Sequence, residues 1–136
     1  MSFFEDSTVS DDYTAIHIGI IVWQDMMNGS TSKDVKSHHF LSMLNIHLHD
    51  SWYPLFGRRH KIGRDQYLVE LSEMLSHLKN ITCISTWVPF NEAWGQFHAL
   101  KVEKLIKTFD PTRLVDHASG WADQKGGDYH SRHIYF

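Results

Sequence analysis

Ile81-Thr-Cys-Ile-Ser-Thr-Trp-Val88 is a β-branched, apolar run that stops at Pro89 and leads straight into Phe90-Asn91-Glu92. A run of that composition, closed by a residue that cannot donate to a sheet ladder, reads as a strand. The polar pair Asn91-Glu92 therefore falls just beyond a strand's C-terminal end. Upstream, Tyr67, Leu68, Leu71, Met74, Leu75 and Leu78 recur at the spacing of one helical face, which predicts a helix over 64–79 that Asn80 stops. Downstream, Phe97, Leu100, Val102, Leu105, Ile106 and Phe109 predict a second helix that must end before Pro111.

Farther out, Ile18-Gly-Ile-Ile-Val-Trp23 reads as a strand covered on both faces and ending at Gln24-Asp25. Arg113-Leu-Val115 and Ser131-Arg-His-Ile-Tyr-Phe136 read as two further strands, separated by a Gly- and Asp-containing loop over 120–128. Strands alternating with amphipathic helices define an α/β chain of parallel units, either an open sheet or a segment of a barrel. Residues 1–12 follow neither period and read as a loose leader ahead of a domain over 13–136. Within that domain, 28–63 is rich in turn residues and histidine and reads as loop, with one helix over about 33–49.

Composition narrows the function classes. With 13 basic and 16 acidic residues and a formal charge of -3, the chain offers no basic surface on which to gather phosphates, so no nucleic-acid partner is expected. Its 11 histidines make that charge strongly pH-dependent in mild acid. Cys83 is the single cysteine, so neither an internal disulfide nor a thiolate zinc cluster is available, and its apolar setting suggests a buried thiol. The N-terminus is acidic and Ile18 to Trp23 falls far short of the ~20 residues of a membrane helix, so no targeting or membrane segment is expected and localisation stays open. At 136 residues the chain is also too short for a whole (β/α)8 barrel of roughly 250.

The placement of polar groups separates the two parallel architectures. Asp25, Asn91-Glu92, Asp116-His117 and His133 all fall at or near C-terminal strand ends. Barrel enzymes build their active sites from those ends. A nucleotide-binding sheet is disfavoured, because Gly126-Gly127 lacks the spacing of a phosphate loop and precedes no amphipathic helix.

Trp87-Val-Pro-Phe-Asn-Glu-Ala-Trp-Gly-Gln-Phe97 closely resembles the acid/base segment of family 2 glycoside hydrolases, the β-galactosidase and β-glucuronidase group. Gly19-Ile-Ile-Val-Trp-Gln-Asp25, Asp110-Pro-Thr-Arg-Leu-Val-Asp-His-Ala-Ser-Gly-Trp121 and Gly127-Asp-Tyr-His-Ser-Arg-His-Ile-Tyr135 are similar to the same family in the same order. The resemblance covers most of 13–136 apart from 28–63. It implies a partial TIM barrel comprising about the third to sixth strands with their helices, taken from a retaining β-glycosidase. It also implies that the strand supplying the nucleophilic glutamate follows Phe136. Met27 departs from the proline common after Asp-Met in relatives, and Lys125 stands where a smaller residue is usual.

The resemblance makes Glu92 the general acid/base. Retaining hydrolysis needs one carboxyl protonated as it meets the leaving oxygen, and Glu92 lies among Trp87, Phe90 and Trp94, whose bulk can desolvate it. Asn91 can hydrogen-bond a sugar 2-hydroxyl, and Asp25, Trp94, His117, His133 and Tyr135 are the further substrate-binding candidates. Each has an ordinary alternative. Asn-Glu alone suits a helix start, tryptophans usually pack in cores, and strand-end polar groups often satisfy loops. Asp116 belongs to the same set.

His38, His39, His47 and His49 raise a zinc site, yet no H-E-x-x-H pattern accompanies them, and solvated histidines are the expectation; no metal or other cofactor is assigned. The leading expectation is a β-glycoside hydrolase fragment, inactive alone for want of its nucleophile. Its rivals are a carbohydrate-binding or assembly fragment, self-associating or completed by the missing barrel half, and a metal-binding interaction protein.

Overall fold

A computed structural model describes residues 15–29 and 48–134. The elements run β1 (Val22–Asp25), α1 (Lys61–Leu78), β2 (Ile84–Val88), α2 (Ala99–Phe109) and β3 (Leu114–Val115). The three strands form one parallel sheet in the order β1-β2-β3. The chain is thus mixed α/β, with a small parallel sheet whose neighbours are joined through helices.

Register explains how the sheet is dressed. Trp23 pairs with Thr86 and Thr86 with Leu114, while Gln24 pairs with Trp87 and Trp87 with Val115. Successive residues of a strand point to opposite faces, so these rows lie on opposite sides of the sheet. The Trp87 and Val115 row joins Tyr67, Leu71, Leu75, Leu78, Val102 and Ile106 in the main core. That side carries both helices. On the other side Trp23 stacks at a tilt on Tyr129 (centroids 4.8 Å apart), and the Tyr129 hydroxyl lies 3.3 Å from Thr86 Oγ1. Trp23 nevertheless stays 50% exposed and Leu114 42%.

Within the core, buried polar contacts fix the ends of the elements. Trp87 Nε1 donates to Asp110 Oδ2 at 3.0 Å, and Asp110 also pairs with Arg113, which reaches the carbonyls of Ile81 and Ile84. Burial opposes ionisation of Asp110, but hydrogen bonds from Thr112, Arg113 and Trp87 outweigh it and hold the carboxyl well below the usual range. At the other end of the sheet, Tyr67 stacks on Phe90 and donates its hydroxyl to the Pro89 carbonyl, tying α1 to the loop after β2.

Several sequence expectations need correction. Residues 15–18 are helical rather than extended, and Gly19 at φ +72° turns the chain, so the strand starts at Val22. Ile18, Ile20 and Ile21 are consequently exposed, not sandwiched. Phe97 lies before α2 although it packs in the core, and Leu100 and Phe109 face outward in part. Residues 131–134 form no strand, and Cys83 is half-buried against the core. The leader, residues 33–47 of the expected helix and His38, His39 and His47 lie outside the described residues, as does Tyr135, while Leu48 and His49 are not helical.

Candidate active site

Because β1, β2 and β3 are parallel, their C-terminal ends share one edge. Asp25 closes β1 in register with Val88, and the Met26 amide continues the ladder to the Val88 carbonyl at 2.9 Å. Beyond β2 and β3 the pairing resumes as a parallel bridge between Asn91 and Ser119. Ser119 N donates to Phe90 O and Glu92 N to Ser119 O, both at 2.8 Å. Glu92 is therefore anchored by its own amide at the sheet edge.

The helix-cap reading of Asn91-Glu92 fails on position. The helix α2 starts at Ala99, and between Glu92 and it the chain makes a turn in which Glu92 (φ +54°), Ala93 (φ +60°) and Gly95 (φ +59°) are left-handed. For a residue with a Cβ, that conformation costs about 1–2 kcal/mol. Two such residues in succession persist only where the surroundings over-determine them, and such strain clusters at functional sites. Trp94, half-buried, sits inside this turn with its amide on the Asn91 carbonyl at 3.0 Å.

His133 Nδ1 lies 3.0 Å from Glu92 Oε1, and His133 Nε2 lies 3.1 Å from Ser119 Oγ. The carboxyl and the imidazole are both partly shielded, at 18% and 30% side-chain exposure. A carboxyl held against an imidazole in this way can keep or pass a proton within hydrogen-bond reach.

Two other carboxylates stand at the same edge. Asp25 is exposed as a residue, yet desolvation of its carboxyl, followed by the nearby charge of Asp116, raises its pKa, while His133 opposes the rise. Asp116 is fully buried, and among the described residues neither of its carboxylate oxygens has a hydrogen-bond partner. His117 takes another direction. Its buried ring puts Nε2 at 3.2 Å from both the Gln124 amide and Asp123 Oδ1. The first contact needs a lone pair on Nε2 and the second a proton, so each belongs to a different protonation state. His117 thus serves the loop over 120–127 rather than Glu92.

The structure accordingly gathers Asn91, Glu92, Trp94, His133 and Asp25 at one edge, and leaves His117 packed in a loop. Sequence reading missed Ser119, although it lies within the quoted 110–121 segment. It also missed Asp50 and Arg58, which brace the Glu92 turn from the poorly matched loop. Arg58 donates from Nε to Gly95 O at 2.8 Å and from Nη2 to Asn28 Oδ1 at 3.0 Å, with its guanidinium 5.0 Å from the Tyr67 ring centroid. A Cβ on Gly95 would lie 2.7 Å from Arg58 Nε, which explains the glycine. No short-range pattern marks residues that act across such separations.

A shallow depression of about 760 Å3 lies elsewhere, between α1 and α2, lined by residues that include Leu68, Ser72, His77 and Leu105. Among the described residues no group of three or more His, Cys, Asp or Glu side chains is placed to hold a metal ion, and no helix is long and apolar enough to cross a membrane. No protein-family model matches the chain, and no curated protein does.

Proposed function

We propose that this chain is part of the catalytic (β/α)8 barrel of a retaining β-glycosidase similar to family 2, with Glu92 as its general acid/base. The observation that carries the reading is the Glu92–His133 pair, held at the C-terminal edge of a parallel sheet by the Asn91–Ser119 bridge. In the first step Glu92 gives its proton to the leaving oxygen; in the second it takes one from water. Asn91 reaches the sugar's 2-hydroxyl, Trp94 offers a flat apolar face, and Asp25 and His133 bind hydroxyls or set the charge around Glu92. A β-glycoside is the substrate, and the nucleophile comes from a strand outside this chain.

The test uses the chain joined to the rest of a barrel. Glu92→Ala is expected to cripple cleavage of unactivated glycosides while sparing the first step on aryl glycosides with very acidic phenols, which need little protonation. Azide should then restore turnover and yield a β-glycosyl azide. Loss of activity on both substrates without azide rescue, in a folded variant, would remove Glu92 from the acid/base role.

A second reading, a carbohydrate-binding or assembly fragment without turnover, draws on the half-exposed Trp23 and Leu114 row. Titration calorimetry that found sugar affinity but no hydrolysis in the completed protein would favour it.

A further inference from the structure

Residues 131–134 belong to no strand or helix, so no ladder fixes the ring of His133. Its position must come from what touches it, and the Ser119-Gly120 pair touches it twice. Ser119 Oγ lies 3.1 Å from Nε2. A Cβ built on Gly120 would fall 2.7 Å from His133 Cγ, 2.8 Å from Nδ1 and 3.0 Å from Cδ2, so the ring rests on the bare Cα. The Gly120 amide also donates to Ser131 Oγ at 3.1 Å, which holds the segment carrying His133. The same pair grips the other partner, since Ser119 O accepts the Glu92 amide.

We propose that Ser119 and Gly120 are positioning residues that set the place of the His133 ring against Glu92, the Ser119 hydroxyl partnering Nε2 whether or not that nitrogen carries a proton. This deepens the acid/base reading and rests on it for its functional meaning, though not for its test.

The proton logic follows from donor and acceptor counts. An ionised carboxylate only accepts, so with Glu92 charged and His133 neutral, Nδ1–H donates to Glu92 and Nε2 must accept from the Ser119 hydroxyl. When the pair gains one proton, Nε2–H donates to Ser119 Oγ, and the proton between Nδ1 and Oε1 can sit on either atom. A hydroxyl is donor and acceptor, so Ser119 serves both states by rotating; an amide or a carbonyl there would serve only one. Gly120 contributes by absence. Any L side chain at φ +85° is strained and would meet Nδ1, the atom that faces Glu92. Asp25 also feels the charge of His133 and, beside it, that of Asp116.

The experiment is nitrogen-15 NMR of the His133 ring in the whole chain, for the parent, Ser119→Ala, Ser119→Thr and Gly120→Ala, with circular dichroism as a check on folding. With Glu92 charged and the ring neutral, the parent should show the Nδ1–H tautomer. Removing the hydroxyl takes away the Nε2 partner in either state, so the Nε2 signal should move away from its hydrogen-bonded position. Ser119→Thr should restore it, which a merely structural role would not require. Gly120→Ala should abolish the Nδ1–H contact with Glu92; if that variant does not fold, the serine pair decides. Folded Ser119→Ala with ring signals unchanged from the parent would overturn the proposal. The readout needs no turnover, so absence of glycosidase activity would count against the hydrolase reading alone.

Discussion

Asp50 Oδ2 accepts the backbone amide of Ala99 at 2.6 Å across a separation of 49 residues, so the first turn of α2 is capped from a distant loop. His98, the residue in the local cap position, is left-handed and its side chain makes no capping bond. The negative end of Asp50 also suits the positive helix N-terminus. Removing this cap by Asp50→Ala is expected to lower stability by about 1–2 kcal/mol, while Asp50→Asn, which keeps an acceptor, should lose less. Urea denaturation measures both, and equal losses would mean that the packing of Asp50, not its oxygen, matters.

Asp110 predicts a pH dependence. Its folded pKa is depressed, so it contributes stability above its unfolded pKa of about 4 and loses it as pH falls from there toward the lower folded value. Asp110→Ala leaves the partly buried Arg113 with only the Ile81 and Ile84 carbonyls and should cost about 1–3 kcal/mol near neutrality. The gap between the parent and this variant should narrow below about pH 4. A gap independent of pH would point to lost packing around Trp87.

Lys125 is exposed and left-handed at φ +62°. Relief of that conformation, worth about 1–2 kcal/mol, outweighs the roughly 0.5–1 kcal/mol of added chain entropy that glycine brings. Lys125→Gly should therefore stabilise the chain by up to about 1 kcal/mol, seen as a higher urea midpoint. A lower midpoint would assign the lysine side chain a contact role.

The half-exposed row of Trp23 and Leu114, together with outer strands that have one sheet neighbour each among the described residues, should drive self-association. Light scattering is expected to report a mass that rises with concentration. Trp23→Ser should reduce the rise. A compact monomer at high concentration would argue that this face is already covered.

Much of this architecture was legible in the residues, and the reasons differ by element. The helix α1 announces itself because Tyr67, Leu71, Leu75 and Leu78 bury one face at helical spacing. Pro89 and Pro111 mark the limits of β2 and α2 because neither could continue the element before it. At β1 the composition of Ile18 to Ile21 suggests a strand, but Gly19 adopts a positive φ that no apolar count reveals. Asn91 and Glu92 were placed at the sheet edge by the run that Pro89 closes, and His133 was singled out by its local motif although no strand forms over 131–134. Ser119, Asp50 and Arg58 were not, since hydrogen bonds across tens of residues leave no periodic trace.

Arg58 joins the loop after β1 through Asn28, the turn after β2 through Gly95 and the first turn of α1 through Gly63. Opening any one of these segments breaks bonds that hold the other two. Amide hydrogens around the Glu92 turn should then exchange with solvent as one cooperative group, at a rate governed by this one arginine. Sequence drift in the loop that carries Arg58 would thus be felt first as altered breathing of the edge that carries Glu92.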